Sequence, residues 1–236
     1  MGNKASSSSS SEDISDRTEN DGANGSNPGH RHTIESDTNV DEPEAPSQSY
    51  YSMIKQSYQA LVHAIIRPPR CEYDYHQLGP KNFEFGQRRF VRNDFTLRNL
   101  RGQQICCSLW EPIGSHRPSP MLPCVIYMHG NSSARLEALS SLSLVLSLGA
   151  TMLAFDFSGS GLSEGEYVSL GYYEKDDLQC VIEHLRGGGT TSTIALWGRS
   201  MGAATALLHG ERDPSIASMV LDSAFASLVQ LAEEMV

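Results

Sequence analysis

An apolar run followed at once by a glycine-flanked serine constrains the fold of this chain more than any other feature. Residues 194–197 are apolar, residues 198–202 read G-R-S-M-G, and the small-residue segment 203–208 has the composition of a helix. In a G-x-S-x-G turn between a strand and a helix, the serine takes a strained backbone conformation, and flanking side chains would clash. The pattern therefore predicts a sharp strand-to-helix turn at Gly198 and Gly202, with Ser200 in the position of a nucleophile.

Strands and helices alternate from residue 83 onward. The last four predicted strands are short continuous apolar runs, which are typical of strands covered on both faces. The first two are separated by a turn-like stretch at 99–102, which indicates a hairpin. The order predicts an α/β fold with a mostly parallel sheet and an antiparallel N-terminal hairpin. The predicted strands are 87–93, 104–110, 123–128, 151–156, 193–197 and 218–222, and the helices between them are 134–148, 173–186 and 201–210.

The first 48 residues have a different composition from the rest of the chain. They contain ten acidic residues, three basic residues and a run of six serines, with few large aliphatic side chains. Such a segment buries too little apolar surface to offset the entropy lost on ordering, so we expect residues 1–48 to be a disordered tail. The tail carries −7 of the net charge of −10. The nearly neutral remainder lacks the basic excess typical of nucleic-acid binding.

The N-terminus indicates a lipid modification. It reads M-G-N-K-A-S, which matches the pattern for N-myristoylation of Gly2 after removal of Met1. One myristoyl chain gives only marginal membrane binding, and the acidic tail offers no polybasic second signal. The first cysteine is Cys71, which excludes a second acylation close to Gly2. We expect weak or switchable membrane contact by a cytoplasmic protein that is peripheral on the cytoplasmic face of a membrane.

Residues 49–82 lie between the tail and the predicted domain. An apolar residue recurs there every three or four positions, at Ile54, Tyr58, Leu61, Val62 and Ile65. This spacing predicts an amphipathic helix that stops before the prolines at 68 and 69. Two interpretations stay open, a helix packed on the domain and a helix lying on a membrane surface. Residues 68–82 are predicted to be an extended connector.

A second motif follows the third predicted strand. Residues 129–131 read H-G-N, in the loop whose backbone N–H group pairs with that of the residue after the nucleophile to form an oxyanion hole. The predicted donors are the N–H groups of Asn131 and Met201. His129 precedes the nucleophile and stands at the start of the loop. We expect it to hold the loop by hydrogen bonds.

Two further motifs make a family resemblance explicit. Residues 156–163 read D-F-S-G-S-G-L-S, and residues 221–225 read L-D-S-A-F. With the other two motifs they follow the chain order of the α/β-hydrolase superfamily, and residues 83–236 resemble its serine aminopeptidase-like branch, including Bem-type and protein-depalmitoylase-like members. The resemblance implies an α/β-hydrolase fold and a serine hydrolase that cleaves an ester, thioester or amide through an acyl-enzyme on Ser200. It also implies that Asp156 shapes a loop beside the site, together with Gly159 and Gly161.

The superfamily places a catalytic acid and a histidine base after the nucleophile. The only histidine after Ser200 is His209, nine residues along the predicted helix and therefore about 13 Å away, too far to take the serine proton. Asp222 is a candidate acid because some α/β-hydrolases carry theirs after the sixth strand, although the matching position in the resembled branch belongs to a structural segment. We therefore expect an α/β-hydrolase domain truncated after the sixth strand, with residues 83–236 forming its N-terminal two-thirds.

Two functions stay open at this point. The first is a serine hydrolase, incomplete in this chain, that acts on a small-molecule or acylated-protein substrate. The second is a catalytically inactive, membrane-tethered interaction module. The five cysteines include no CxxC pair and no histidines at zinc spacing, so no metal site is predicted. The resemblance implies no cofactor.

The predicted acylation can be tested by replacing Gly2. We expect the chain co-expressed with an N-myristoyltransferase to incorporate an alkyne analogue of myristate, because the free N-terminal glycine is the acceptor. The variant Gly2→Ala should incorporate none, and the control Asn3→Ala should incorporate as much as the unchanged chain. In-gel fluorescence after coupling a dye to the alkyne measures this. Equal labelling of Gly2→Ala would exclude the modification.

Overall fold

A computed structural model describes residues 47–227 of the 236-residue chain. Gly2 and all but the last two residues of the predicted disordered tail lie outside the described residues.

Seven strands of this region form one mixed sheet. In chain order, and numbered β1 to β7, they are Asn82–Phe85, Arg88–Arg98, Gln104–Pro112, Leu122–Met128, Thr151–Phe155, Thr191–Arg199 and Ser218–Asp222. Their order in the sheet is β1-β2-β3-β5-β4-β6-β7. Strands β5, β4, β6 and β7 are parallel to one another, whereas β1, β2 and β3 pair antiparallel and β3 joins β5 antiparallel. The predicted α/β class with an antiparallel N-terminal hairpin is confirmed.

The described residues contain one strand more than the six predicted. Strand β1 pairs with the start of β2 across a turn at Gly86 and Gln87, which both have positive φ. A two-residue turn with two positive φ values suits a tight hairpin, but glutamine at the second position conceals the usual sequence signal. The strand predicted as the sixth is therefore β7 of the structure.

Four α-helices accompany the sheet. They are Ser47–Ile66, Leu139–Ser147, Glu174–Gly187 and Met201–Gly210, numbered α1 to α4. The helix predicted over 134–148 is divided, because a 3-10 helix at Arg135–Ala138 precedes α2. The predicted connector 68–82 also contains a 3-10 helix, Tyr75–Leu78, and the side chains of Tyr73 and Leu78 are buried.

Two apolar clusters cover the two faces of the sheet. Side chains alternate between faces along a strand, so Ile126 lies in one cluster and its neighbour Tyr127 in the other. The Ile126 cluster includes apolar residues of α3 and α4, and the Tyr127 cluster includes those of α2. Helices on both faces explain why β4, β5 and the apolar part of β6 are continuously apolar. The prediction of two covered faces is wrong for β7, the last strand of the described sheet, where Val220 and Leu221 are exposed.

Helix α1 differs from the others because most of it packs on nothing in the described region. Only the last turn is half-buried, at Val62, Ile65 and Ile66. The interpretation of α1 as a helix packed on the domain therefore holds for its last turn alone. The described residues leave the rest of its apolar face exposed. No helix within 47–227 is long and apolar enough to cross a bilayer. The exposed large apolar side chains of α1 are Tyr50, Tyr51, Met53, Ile54, Tyr58 and Leu61.

The backbones of β4, β6 and α4 meet at two glycines. A Cβ atom at Gly202 would lie within 3.0 Å of the carbonyl oxygen of Met128, and one at Gly198 would lie equally close to the carbonyl group of Gly202. Real Cβ atoms essentially never approach backbone atoms so closely. These two positions therefore admit no side chain unless α4 separates from the sheet.

Replacing Gly202 tests this close packing. We expect Gly202→Ala to lower the free energy of unfolding by about 2 kcal/mol or more, because the added methyl group overlaps backbone atoms that cannot move independently. Urea denaturation followed by circular dichroism measures the loss. The control is Gly187→Ala at the end of α3, where a Cβ atom would meet nothing within 4 Å. It should be neutral or stabilising by up to about 1 kcal/mol, since alanine favours helix over glycine. An unchanged midpoint for Gly202→Ala would contradict the packing.

Candidate active site

Ser200 lies at the sharp turn between β6 and α4, at the carboxyl edge of the parallel strands. Its backbone has φ 50° and ψ −111°, a strained conformation for a residue other than glycine. The Ser200 N–H donates to the carbonyl oxygen of Asp222 at 2.7 Å, and its own carbonyl accepts from the N–H of Ala204 at 3.0 Å. The end of β7 and the first turn of α4 thus hold the serine in this conformation.

The loop after β4 lies directly against this turn. Met128 is the register partner of Gly198, and a Cβ atom on Gly130 would lie 3.8 Å from the Cβ of Ser200. Asn131 follows Gly130 in this loop, and Met201 begins α4, where the first N–H groups have no intrahelical acceptor. Within residues 47–227, neither of these two N–H groups donates to a protein acceptor. Two N–H groups that have no acceptor in the described region therefore lie in the segments that flank Ser200.

His129 is fully buried, and both of its ring nitrogens are engaged. Nδ1 lies 2.7 Å from the carbonyl oxygen of Gly130, and Nε2 accepts from the N–H of Phe157 at 3.1 Å. These partners require a neutral ring with the proton on Nδ1. The ring ties the loop after β4 to the loop after β5, and it has no free nitrogen to offer Ser200.

Asp156 is a buried carboxylate that organises the loop after β5. It accepts hydrogen bonds from the Tyr73 hydroxyl at 2.6 Å, the Arg135 N–H at 2.7 Å and the Leu162 N–H at 3.0 Å. Burial, followed by the charge and hydrogen bond of Asp156, raises the pKa of Tyr73 above its ordinary value. A Cβ atom on Gly161 would overlap this carboxylate. Asp156 therefore points into the loop scaffold and not toward Ser200.

Glu137 connects the two loops at the site, and the sequence motifs did not reveal it. Its carboxylate accepts from the Tyr127 hydroxyl at 2.8 Å, lies 3.5 Å from the Gly130 nitrogen, and pairs with Arg199 at 3.5 Å. Burial and the hydrogen bond to Glu137 raise the pKa of Tyr127. The only available signal was an acidic residue soon after the H-G-N motif.

The two remaining titratable candidates make no contact with the Ser200 side chain. The Asp222 carboxylate is 53% exposed, lies 4.0 Å from Arg199 Nε, and accepts from the Ser223 hydroxyl at 2.9 Å. His209 is buried, with Nε2 3.7 Å from Asp213 Oδ2, and burial lowers its pKa. In the part of the chain that the structure describes, no histidine contacts Ser200.

Sequence comparison finds a family and a bacterial relative. Residues 123–234 match the family model described as serine aminopeptidase, S33. The uncharacterized protein YqkD of Bacillus subtilis (strain 168) is 40% identical over 86 residues, which cover 36% of this chain and 28% of that protein. The residues matched by the family model include all four motifs.

Structure comparison finds the same fold in two esterases. The esterase Pf2001 from Pyrococcus furiosus aligns with a TM-score of 0.57 at 24% identity, covering 71% of this chain and 62% of that chain. The acetyl xylan esterase from Paenibacillus sp. R4 aligns with a TM-score of 0.52 at 21% identity, covering 65% and 55%. The chain thus spans less than two thirds of the length of each protein named here.

The sheet order, the glycine-flanked serine turn and the matched family model converge on one assignment. The described residues have the fold of an α/β-hydrolase, and the match of residues 123–234 to the serine aminopeptidase family model supports assignment of the chain to that superfamily.

Proposed function

We propose that the protein is a serine hydrolase that cleaves an ester, thioester or amide through an acyl-enzyme on Ser200. The observation that carries the proposal is the strained turn of Ser200 at the start of α4, with the loop of Gly130 packed against it. The names of the two structural neighbours describe esterases, which agrees with acyl-transfer chemistry.

In the first half of the proposed reaction, the Ser200 oxygen attacks the carbonyl carbon of the substrate. The serine proton passes to a general base, and the carbonyl oxygen becomes a tetrahedral oxyanion. The free N–H groups of Asn131 and Met201 donate to this oxyanion, and the positive N-terminal end of α4 adds a favourable field. Loss of one such donor costs roughly 10²–10³ in rate in well-studied hydrolases.

In the second half, the tetrahedral intermediate collapses and the bond from carbonyl carbon to leaving group breaks. The base returns its proton to the leaving alcohol, thiol or amine, and the acyl group stays on Ser200. Water then attacks the carbonyl carbon of the acyl-enzyme through the same oxyanion geometry and gives a proton to the base. The bond from this carbon to Ser200 Oγ breaks, the base returns the proton to Oγ, and the acid is released. Glu137 positions the donor loop in both halves, because its carboxylate spans Gly130 and Arg199.

The described residues supply the nucleophile and the oxyanion donors of this mechanism. Within residues 47–227 they include no histidine beside Ser200. Asp222 is the one carboxylate at the end of β7 that can be tested as the acid. The proposed substrates are small-molecule esters or acylated proteins.

A second function is favoured by one observation, the absence of a histidine contact to Ser200 within residues 47–227. A catalytically inactive interaction module tethered to a membrane would keep the fold and the turn without using the serine. The two functions differ in a single property, the reactivity of Ser200.

Covalent labelling of the purified protein separates them. We expect a fluorophosphonate probe to modify Ser200, because the turn and the oxyanion donors favour attack of this hydroxyl on phosphorus. Trypsin cleaves after Arg199 and Arg212, so the adduct should appear by mass spectrometry on residues 200–212, in which Ser200 is the only serine. Ser200→Ala should abolish labelling. Ser215→Ala, a serine that bonds to Asp213, should leave it unchanged. Labelling that persists in Ser200→Ala, or is absent from the unchanged protein, would refute the assignment.

The role of Asp222 has its own test. Its carboxylate pairs loosely with Arg199 and is half-exposed, so we expect Asp222→Asn to keep the rate of probe labelling within about threefold. Removal of the acid of a triad costs about 10⁴ in rate. Quenching the labelling reaction at a series of times and measuring in-gel fluorescence gives the rate. A several-hundredfold decrease in the labelling rate would identify Asp222 as the catalytic acid.

A further inference from the structure

Helix α1 has an apolar face that the described residues leave uncovered. At 100° per residue, five of its six exposed apolar side chains fall within an arc of about 100° around the helix axis, and the sixth, Met53, lies about 60° beyond the edge of that arc. Each of them is more than half exposed. The opposite side of the helix carries Gln56, Gln59 and His63. The members of the uncovered face are Tyr50, Tyr51, Ile54, Tyr58 and Leu61.

The domain holds only the C-terminal end of α1. The carbonyl oxygen of Ile65 lies 3.4 Å from Asn131 Nδ2, and that of Ile66 accepts from the Val168 N–H at 2.7 Å. Arg67 pairs with Glu166 at 2.8 Å immediately after the helix. These bonds fix the last turn beside the loop of the candidate active site, while the preceding turns extend away from it.

The charges of α1 indicate what kind of surface could cover this face. The helix contains one charged residue, Lys55, and no acidic residue, whereas the 46 residues before it carry ten acids and three bases. A single lysine gives little attraction to an anionic surface. Tyrosine side chains suit the boundary between lipid headgroups and acyl chains, because the ring is apolar and the hydroxyl is polar. The composition therefore favours burial in an uncharged interface.

We propose that α1 lies in the interface of a zwitterionic membrane surface, with the face of Tyr50, Tyr51, Ile54, Tyr58 and Leu61 toward the acyl chains. It acts as the second membrane signal that a single myristoyl group on Gly2 requires. Because Asn131 contacts the end of α1, the bound helix places the Ser200 edge of the domain next to the membrane surface. This last step rests on the proposed function and favours acyl groups presented at a membrane as substrates.

Vesicle binding of the full 236-residue chain tests the proposal. The chain is made without acylation, so that α1 is measured without the myristoyl group, and is sedimented with sucrose-loaded phosphatidylcholine vesicles. We expect binding, and we expect Ile54→Gln/Tyr58→Gln/Leu61→Gln to lower the partition coefficient at least about tenfold, since three apolar contacts are lost. Glutamine preserves helix propensity.

The control Gln56→Ala/Gln59→Ala changes the opposite side of the helix, and its partition coefficient should stay within about twofold of that of the unchanged chain. A separate Ile54→Trp variant should shift its emission to the blue on binding.

Three results would overturn the proposal. The first is no binding of the unchanged chain to phosphatidylcholine vesicles, together with an unshifted Trp emission. The second is binding that appears only with phosphatidylserine or disappears in about 0.5 M salt, which would make the contact electrostatic. The third is a concentration-dependent dimer, detected by light scattering, that does not form in the triple variant. This result would mean that a second copy of the chain covers the apolar face of α1. Fluorophosphonate labelling of the triple variant in solution reports on Ser200 alone, so failure of the membrane proposal is distinguishable from failure of the hydrolase proposal.

Discussion

The close approach of three backbones at two glycines is the constraint on which the rest of the structure depends. With no side chain at Gly198 or Gly202, α4 packs directly on β4 and β6, and the chain can reverse within one residue. That reversal places Ser200 at positive φ, where a hydrogen bond to the end of β7 holds it. The strain is local and is held by the packing of the whole sheet edge. The candidate site is therefore a product of backbone geometry before any side-chain chemistry enters.

Two carboxylates, Asp156 buried and Glu137 half-buried, extend this constraint to the surrounding loops. Asp156 gathers Tyr73, Arg135 and the loop after β5, while Glu137 spans Gly130 and Arg199. A buried carboxylate is stable only when several donors satisfy it, so each one fixes the segments that supply those donors. Neutral His129 joins the same scaffold through both ring nitrogens. The donors beside Ser200 are thus held in place by groups that do not react themselves.

Local patterns were sufficient to predict the four parallel strands, α1, α3, α4 and the turn at Ser200, because apolar runs and glycine spacing act over a few residues. They were insufficient for β1, whose turn at Gly86 and Gln87 lacks the usual residue pair. They were also insufficient for Glu137 and Tyr73, because these act on groups distant in sequence through the fold. Periodicity revealed the apolar face of α1, but it could not tell that only the last turn would pack on the domain.

In the proposed mechanism, the Ser200 turn and the loop of Asn131 together form a site for acyl transfer. A crystal structure of the protein after reaction with a phosphonate ester tests it most directly, because the phosphonyl oxygen stands where the oxyanion would develop. We expect a covalent bond from Ser200 Oγ to phosphorus and a phosphonyl oxygen about 3 Å from the backbone nitrogens of both Asn131 and Met201. An adduct on another residue, or an oxygen directed away from these two nitrogens, would contradict it.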